Sequence, residues 1–88
     1  MKVSLGRVVI TANAKDLLIM SDVDAAIVRH ASGDWGELPQ DDIAANDQAL
    51  HHGEGRLFSA YYDSSGTKFW VITESDRSVT TVLLPEDY

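Results

Sequence analysis

Cysteine is absent from the sequence, which excludes a disulfide framework and any thiolate metal site. That absence fits a reducing cytoplasm. No apolar run approaches the roughly 20 residues that a membrane-spanning helix needs. The opening residues, Met1-Lys2-Val3-Ser4-Leu5-Gly6-Arg7, lack the basic start and continuous apolar stretch of a secretory signal. The expectation is a cytoplasmic protein. Bases are scarce: seven lysines and arginines stand against fourteen acids, a net charge of -7. Nucleic-acid binding depends on phosphate neutralisation by Lys and Arg, so direct binding of DNA or RNA is not expected. The glycines at 33, 36, 53, 55 and 66 match neither a dinucleotide nor a P-loop pattern, and no serine sits in a Gly-x-Ser-x-Gly elbow. No cofactor is implied.

The chain is 88 residues long, enough for a single domain with one modest core. Its clearest signal lies between Arg56 and Leu84. Three apolar runs, over 56–62, 67–73 and 78–84, have strand length and are rich in aromatic and β-branched residues. The breaks between them, Asp63-Ser64-Ser65-Gly66 and Glu74-Ser75-Asp76-Arg77, are short and polar. They predict a three-stranded antiparallel β-meander, closed at Pro85, which cannot continue a central ladder.

Before the meander, Gly6-Arg7-Val8-Val9-Ile10-Thr11 predicts a short strand that joins an edge of the sheet. Thr11 or Asn13 can cap a short helix over 15–20. Ser21 and Asp22 can cap a second helix over 23–31, and Ser21 with Asp24 has capping-box spacing. Val23, Ala26, Ile27 and His30 then share one helical face, which should meet the sheet, and Gly33 ends the helix. Pro39 opens a third helix, with Asp41 and Asp42 in its first turn and His51 and His52 in its last, each complementing the helix dipole. Ile43, Ala44 and Leu50 form its thin apolar face, and Gly53 stops it. The order predicts an α+β fold: a short N-terminal strand, two to three helices, then the meander. Both sides of the strands carry apolar residues, so the second sheet face needs the N-terminal segment or another subunit to cover it.

Candidate sites are few. Adjacent His51 and His52 point about 100° apart on a helix and lack the i, i+4 spacing of a metal pair, so no metal site is expected. Trp35 lies between Gly33 and Gly36 and should fold back as a plug beneath its loop. The stretch containing Asp34, Trp35, Glu37, Asp41, Asp42 and Asp47 has no Lys or Arg, and is the candidate surface for a basic protein partner. A second set, His30, Arg56, Ser59, Arg77, Thr80 and Thr81, contains the parts of a metal-independent ribonuclease. In that reading His30 is the general base or acid, Arg77 the cation for the phosphorane oxygens, and Thr81 a hydrogen-bond donor.

Several stretches carry a family resemblance: Arg29-His30, Ser32-Gly33-Asp34-Trp35-Gly36, Leu57-Phe58-Ser59-Ala60-Tyr61, and above all the run from Trp70 to Tyr88. Residues 28–88 resemble small bacterial proteins borne on plasmids, integrated elements and phages. These are often labelled plasmid-related or "type I restriction endonuclease subunit M". A methyltransferase needs a far larger domain with a cofactor-binding glycine motif, so the label implies at most a neighbourhood of defence genes. The order of helices and meander, with a helix-end His and a Thr in the last strand, is also similar to ribonuclease toxins of the barnase, EndoU, colicin and RelE kind. The first expectation is a non-enzymatic interaction protein of a mobile element, acting on a host defence or nucleic-acid-handling protein. The second is the ribonuclease, and the third a homodimer assembled through the second sheet face.

Overall fold

In a computed structural model, which describes residues 3–88, four strands and three helices follow one another. They are β1 (Arg7–Ile10), α1 (Ala12–Leu17), α2 (Met20–Ala31), α3 (Gln40–His52), β2 (Leu57–Tyr62), β3 (Lys68–Thr73) and β4 (Val79–Leu83), with a closing 3-10 turn at Pro85–Asp87. The fold is α+β. The three C-terminal strands form the expected antiparallel meander, with Ser59 opposite Val71 and Val71 opposite Val82. The first strand adds a fourth member that sequence could not place. β1 runs parallel to β4, Val8 beside Thr80, so the sheet order is β1-β4-β3-β2.

Strand alternation sorts the side chains. One face carries Val8 and Ile10, Leu57, Ser59 and Tyr61, Phe69, Val71 and Thr73, and Thr80 and Val82; the helices pack on it. A main core joins Ala14, Leu18, Val23 and Ala26 to Tyr61, Phe69, Val71, Val82 and Leu84. A smaller cluster joins Val3, Trp35 and Leu57, with Leu38, Ile43, Ala49 and Leu50 against it. The other face carries Phe58, Ala60, Trp70, Ile72, Thr81 and Leu83; Ala60, Ile72 and Leu83 are buried on it, and Tyr88, after the closing turn, packs on Trp70.

The helix boundaries differ from the local signals in instructive ways. Thr11 does cap α1: its hydroxyl accepts from the Ala14 N–H at 3.2 Å and donates to the Asp87 carboxylate at 2.6 Å. α1 starts at Ala12, earlier than position 15. α2 starts at Met20, not at Val23, and the Ser21–Asp24 capping box does not form. Tertiary contacts set this terminus instead. Ile19 is the cap residue and donates its N–H to Asp63, while Asp22 accepts from the Ser64 N–H and hydroxyl. The β2–β3 turn thus holds the start of α2. The expected inward stripe of α2 is present, with Val23, Ala26 and His30 buried. Pro39 precedes α3 as its cap, and Gly53 ends it in the left-handed region, φ 73°, with Ala44 exposed rather than packed. Among the described residues no helix is long and apolar enough to cross a membrane.

Candidate functional site

His30, Arg77 and Thr81 do not converge. His30 lies in the last turn of α2 and is 0 % exposed. Its ring sits over the helix-facing side of the sheet, where Nδ1 is 2.5 Å from the Ser59 hydroxyl and Nε2 2.8 Å from the Thr73 hydroxyl. Thr73 reaches Thr80 at 2.7 Å, and Thr80 donates to the Leu5 carbonyl at 2.7 Å. That last contact sets the direction of the whole row. A carbonyl only accepts, so the single Thr80 proton is committed to Leu5. Thr80 must then accept from Thr73, and Thr73 from His30 Nε2–H, so the row fixes a proton on Nε2; in the neutral ring Nδ1 accepts from Ser59. Burial pushes the imidazole down to about 4, where it holds no charge at neutral pH. Trp35 closes it off edge-on at 5.5 Å. A neutral, saturated, enclosed imidazole positions α2 on the sheet and cannot reach a substrate.

Arg77 is committed elsewhere. It occupies the left-handed region at φ 63° in the β3–β4 turn. Its guanidinium donates to the carbonyls of Gly55, Glu74 and Ser75 at 2.7–3.2 Å and to that of Ala49, near the end of α3, at 3.3 Å. It ties the turn to the helix terminus, whose last carbonyls need donors. Thr81 points to the opposite sheet face from Thr80 and His30. Arg56 pairs with Glu74 at 3.2 Å and donates to the Tyr88 hydroxyl at 2.6 Å. Of the wider set, only His30, Ser59 and Thr80 meet, as a structural row. Thr73 completes it and was missed. It shares inward parity with Val71, so a threonine at that position carried the signal.

The acidic stretch divides in two. Asp34 receives Arg29 through two bonds, at 2.8 and 3.2 Å, and also accepts the Gly36 N–H. The guanidinium holds its carboxyl below the usual range. Trp35 is the expected plug, 3 % exposed, and donates its indole N–H to Asp47 at 2.8 Å. These three residues build the loop rather than a contact surface. Glu37, Asp41 and Asp42 are exposed, and among the described residues no cation or hydrogen-bond donor pairs with their side chains. Asp42 also lines a shallow cleft with Ala45, Asn46 and Phe58, where α3 meets β2. Phe58 packs tilted against Trp70, ring centroids 4.9 Å apart, and Trp70 meets Tyr88 edge-on at 5.9 Å. The cleft thus joins the acidic helix to the aromatic strip of Phe58, Trp70 and Tyr88. His51 and His52 are exposed at the end of α3, and no group of potential metal ligands occurs among the described residues.

No family model matches the chain, and no characterised protein or solved structure shows significant similarity to it.

Proposed function

We propose that the chain is a non-enzymatic, cytoplasmic interaction protein that binds a basic protein through Glu37, Asp41 and Asp42 and the adjoining Asp42–Phe58 cleft. The observation that carries this reading is the contrast within one stretch. Asp34 and Asp47 are consumed by internal partners, whereas among the described residues the side chains of Glu37, Asp41 and Asp42 make no ion pair or hydrogen bond, and Asp42 lines the cleft with Phe58. A lysine or arginine of the partner can lay its aliphatic stem against Phe58 and set its charged head at Asp42. A mobile-element origin, which the resemblance of residues 28–88 implies, would make the partner one that handles nucleic acid or serves host defence. Such a partner presents cations arranged for phosphates, which carboxylates on a helix can engage in their place.

The ribonuclease reading loses its geometric support: its base is buried and neutral, its cation is bound by carbonyls, and its threonine faces the other way. Exposed ion pairs contribute modestly one by one and act mainly on capture rate, so binding should be strongly salt-sensitive. The test is retention of a basic partner on the immobilised protein as NaCl rises from about 0.05 to 0.5 M, which shortens the screening length from about 14 Å to about 4 Å. Steep loss of retention supports the reading; retention independent of salt removes it.

A further inference from the structure

The two edges of the sheet are treated differently. At the β2 edge, Asn46 bonds both backbone groups of Phe58, and the Ala60 N–H and carbonyl are taken by the Trp35 carbonyl and Glu37 N–H. That edge is closed at Phe58 and Ala60, and among the described residues the outward groups of Tyr62, beside the turn, have no backbone partner. At the β1 edge, Arg7 and Thr11 donate their N–H groups toward β4, to Ser78 and Val82. Alternation then turns the N–H and carbonyl of Val8 and of Ile10 outward. Among the described residues no backbone group bonds to them, and Val8 is 44 % exposed. Proteins commonly blunt such an edge; in this sheet only one of the two is blunted.

We infer that a second copy of this chain pairs with it along β1, antiparallel, with Val8 opposite Ile10 of the partner and Val9 opposite Val9 at the dyad. Each Val8–Ile10 pair exchanges two backbone hydrogen bonds, so every outward group of β1 is satisfied. The same register sets Arg7 opposite Thr11 of the other copy. Thr11 donates to Asp87, whose carboxylate is also held by Asn13 and kept ionised by these bonds. Arg7 has no side-chain partner among the described residues. The pairing therefore sets one unpaired guanidinium beside one ordered carboxylate, and the symmetry repeats it. Because the β2 edge is occupied at Phe58 and Ala60, pairing stops at two copies rather than growing into a fibre. The β1 edge is a different surface from the acidic helix, and pairing along it stands independently of binding there.

The experiment uses the absence of cysteine. Val9→Cys places two thiols across the dyad at a non-hydrogen-bonded pair, the closer kind of cross-strand position. It should oxidise to a covalent dimer, whereas Val8→Cys, facing Ile10, should remain monomeric under the same conditions. Sedimentation equilibrium of the unmodified protein up to about 1 mM should show a reversible dimer. Arg7→Glu should weaken it about tenfold, a change of about 1.4 kcal/mol. Val8→Pro removes one outward N–H without touching the bonds to β4 and should abolish it. A monomer throughout that range, or equal cross-linking of Val8→Cys and Val9→Cys, overturns the pairing; a strictly monomeric protein would leave the edge to an extended segment of another protein.

Discussion

The Asn46 side chain stands beside Phe58 as a neighbouring strand would: its Oδ1 accepts the Phe58 N–H at 3.1 Å and its Nδ2 donates to the Phe58 carbonyl. Asn46 is the one buried position of α3, a helix whose apolar face is otherwise thin. The amide anchors the helix to the sheet and closes the sheet edge at once. Asn46→Ala should lower stability by about 2 kcal/mol, the loss of two such bonds with a half-buried peptide left unpaired. Asn46→Asp should cost at least as much, because a carboxylate has no donor for the Phe58 carbonyl. Urea unfolding of the two variants checks this.

Acid should destabilise the fold in two separate windows. The unfolded chain protonates His30 near its ordinary value of 6.5, while the folded chain resists until about 4. The contribution of the neutral imidazole is therefore fully present above pH 6.5 and drains away as pH falls to 4. The total is about 3 kcal/mol at most. Asp34, Asp63, Asp76 and Asp87 are all held below the ordinary carboxylate value of 3.8, so their contribution is lost only at still lower pH. NMR titration of the His30 ring, with urea midpoints at pH 7 and pH 4.5, reads the first window directly.

Gly36 and Gly53 share a left-handed backbone, φ 74° and 73°, but not their surroundings. A methyl group at Gly36 would overlap the Ala60 carbonyl oxygen and the Tyr61 ring, whereas at Gly53 it meets open space. Gly53→Ala should cost about 1 kcal/mol, the backbone penalty alone. Gly36→Ala should cost clearly more and detach the 34–37 segment from β2. Thermal denaturation of the pair separates the two effects.

Arg77→Ala should lower stability by about 2 kcal/mol, since it strips a charged donor from several carbonyls at once. It should leave RNA untouched, as should the unmodified protein incubated with total bacterial RNA in EDTA. Cleavage abolished in folded His30→Ala would contradict a purely structural role for the imidazole.

The meander was readable because its strands are short runs rich in aromatic and β-branched residues and its breaks are short and polar. The Thr11 cap, the Trp35 plug and the Gly53 stop were readable for the same reason: each is a local event. What escaped was set by distant contacts. The start of α2 depends on Asp63 and Ser64, more than forty residues away. The parallel pairing of β1 with β4 has no local mark in a four-residue strand. Grouping His30 with Ser59 and Thr80 did identify residues that meet, but as a buried row rather than a reactive centre. Sequence could not show which way Arg77 and Thr81 point.

The most direct test of binding through α3 compares three immobilised proteins against bacterial lysate: the unmodified chain, a Glu37→Gln, Asp41→Asn, Asp42→Asn variant, and an Asp16→Asn, Asp24→Asn, Glu86→Gln variant with the same change in charge on other surfaces. A basic protein should be retained by the first and third and lost by the second. Equal retention by all three, equal loss from both variants, or nothing retained by the unmodified chain that the α3 variant lacks would contradict the acidic face as the binding surface.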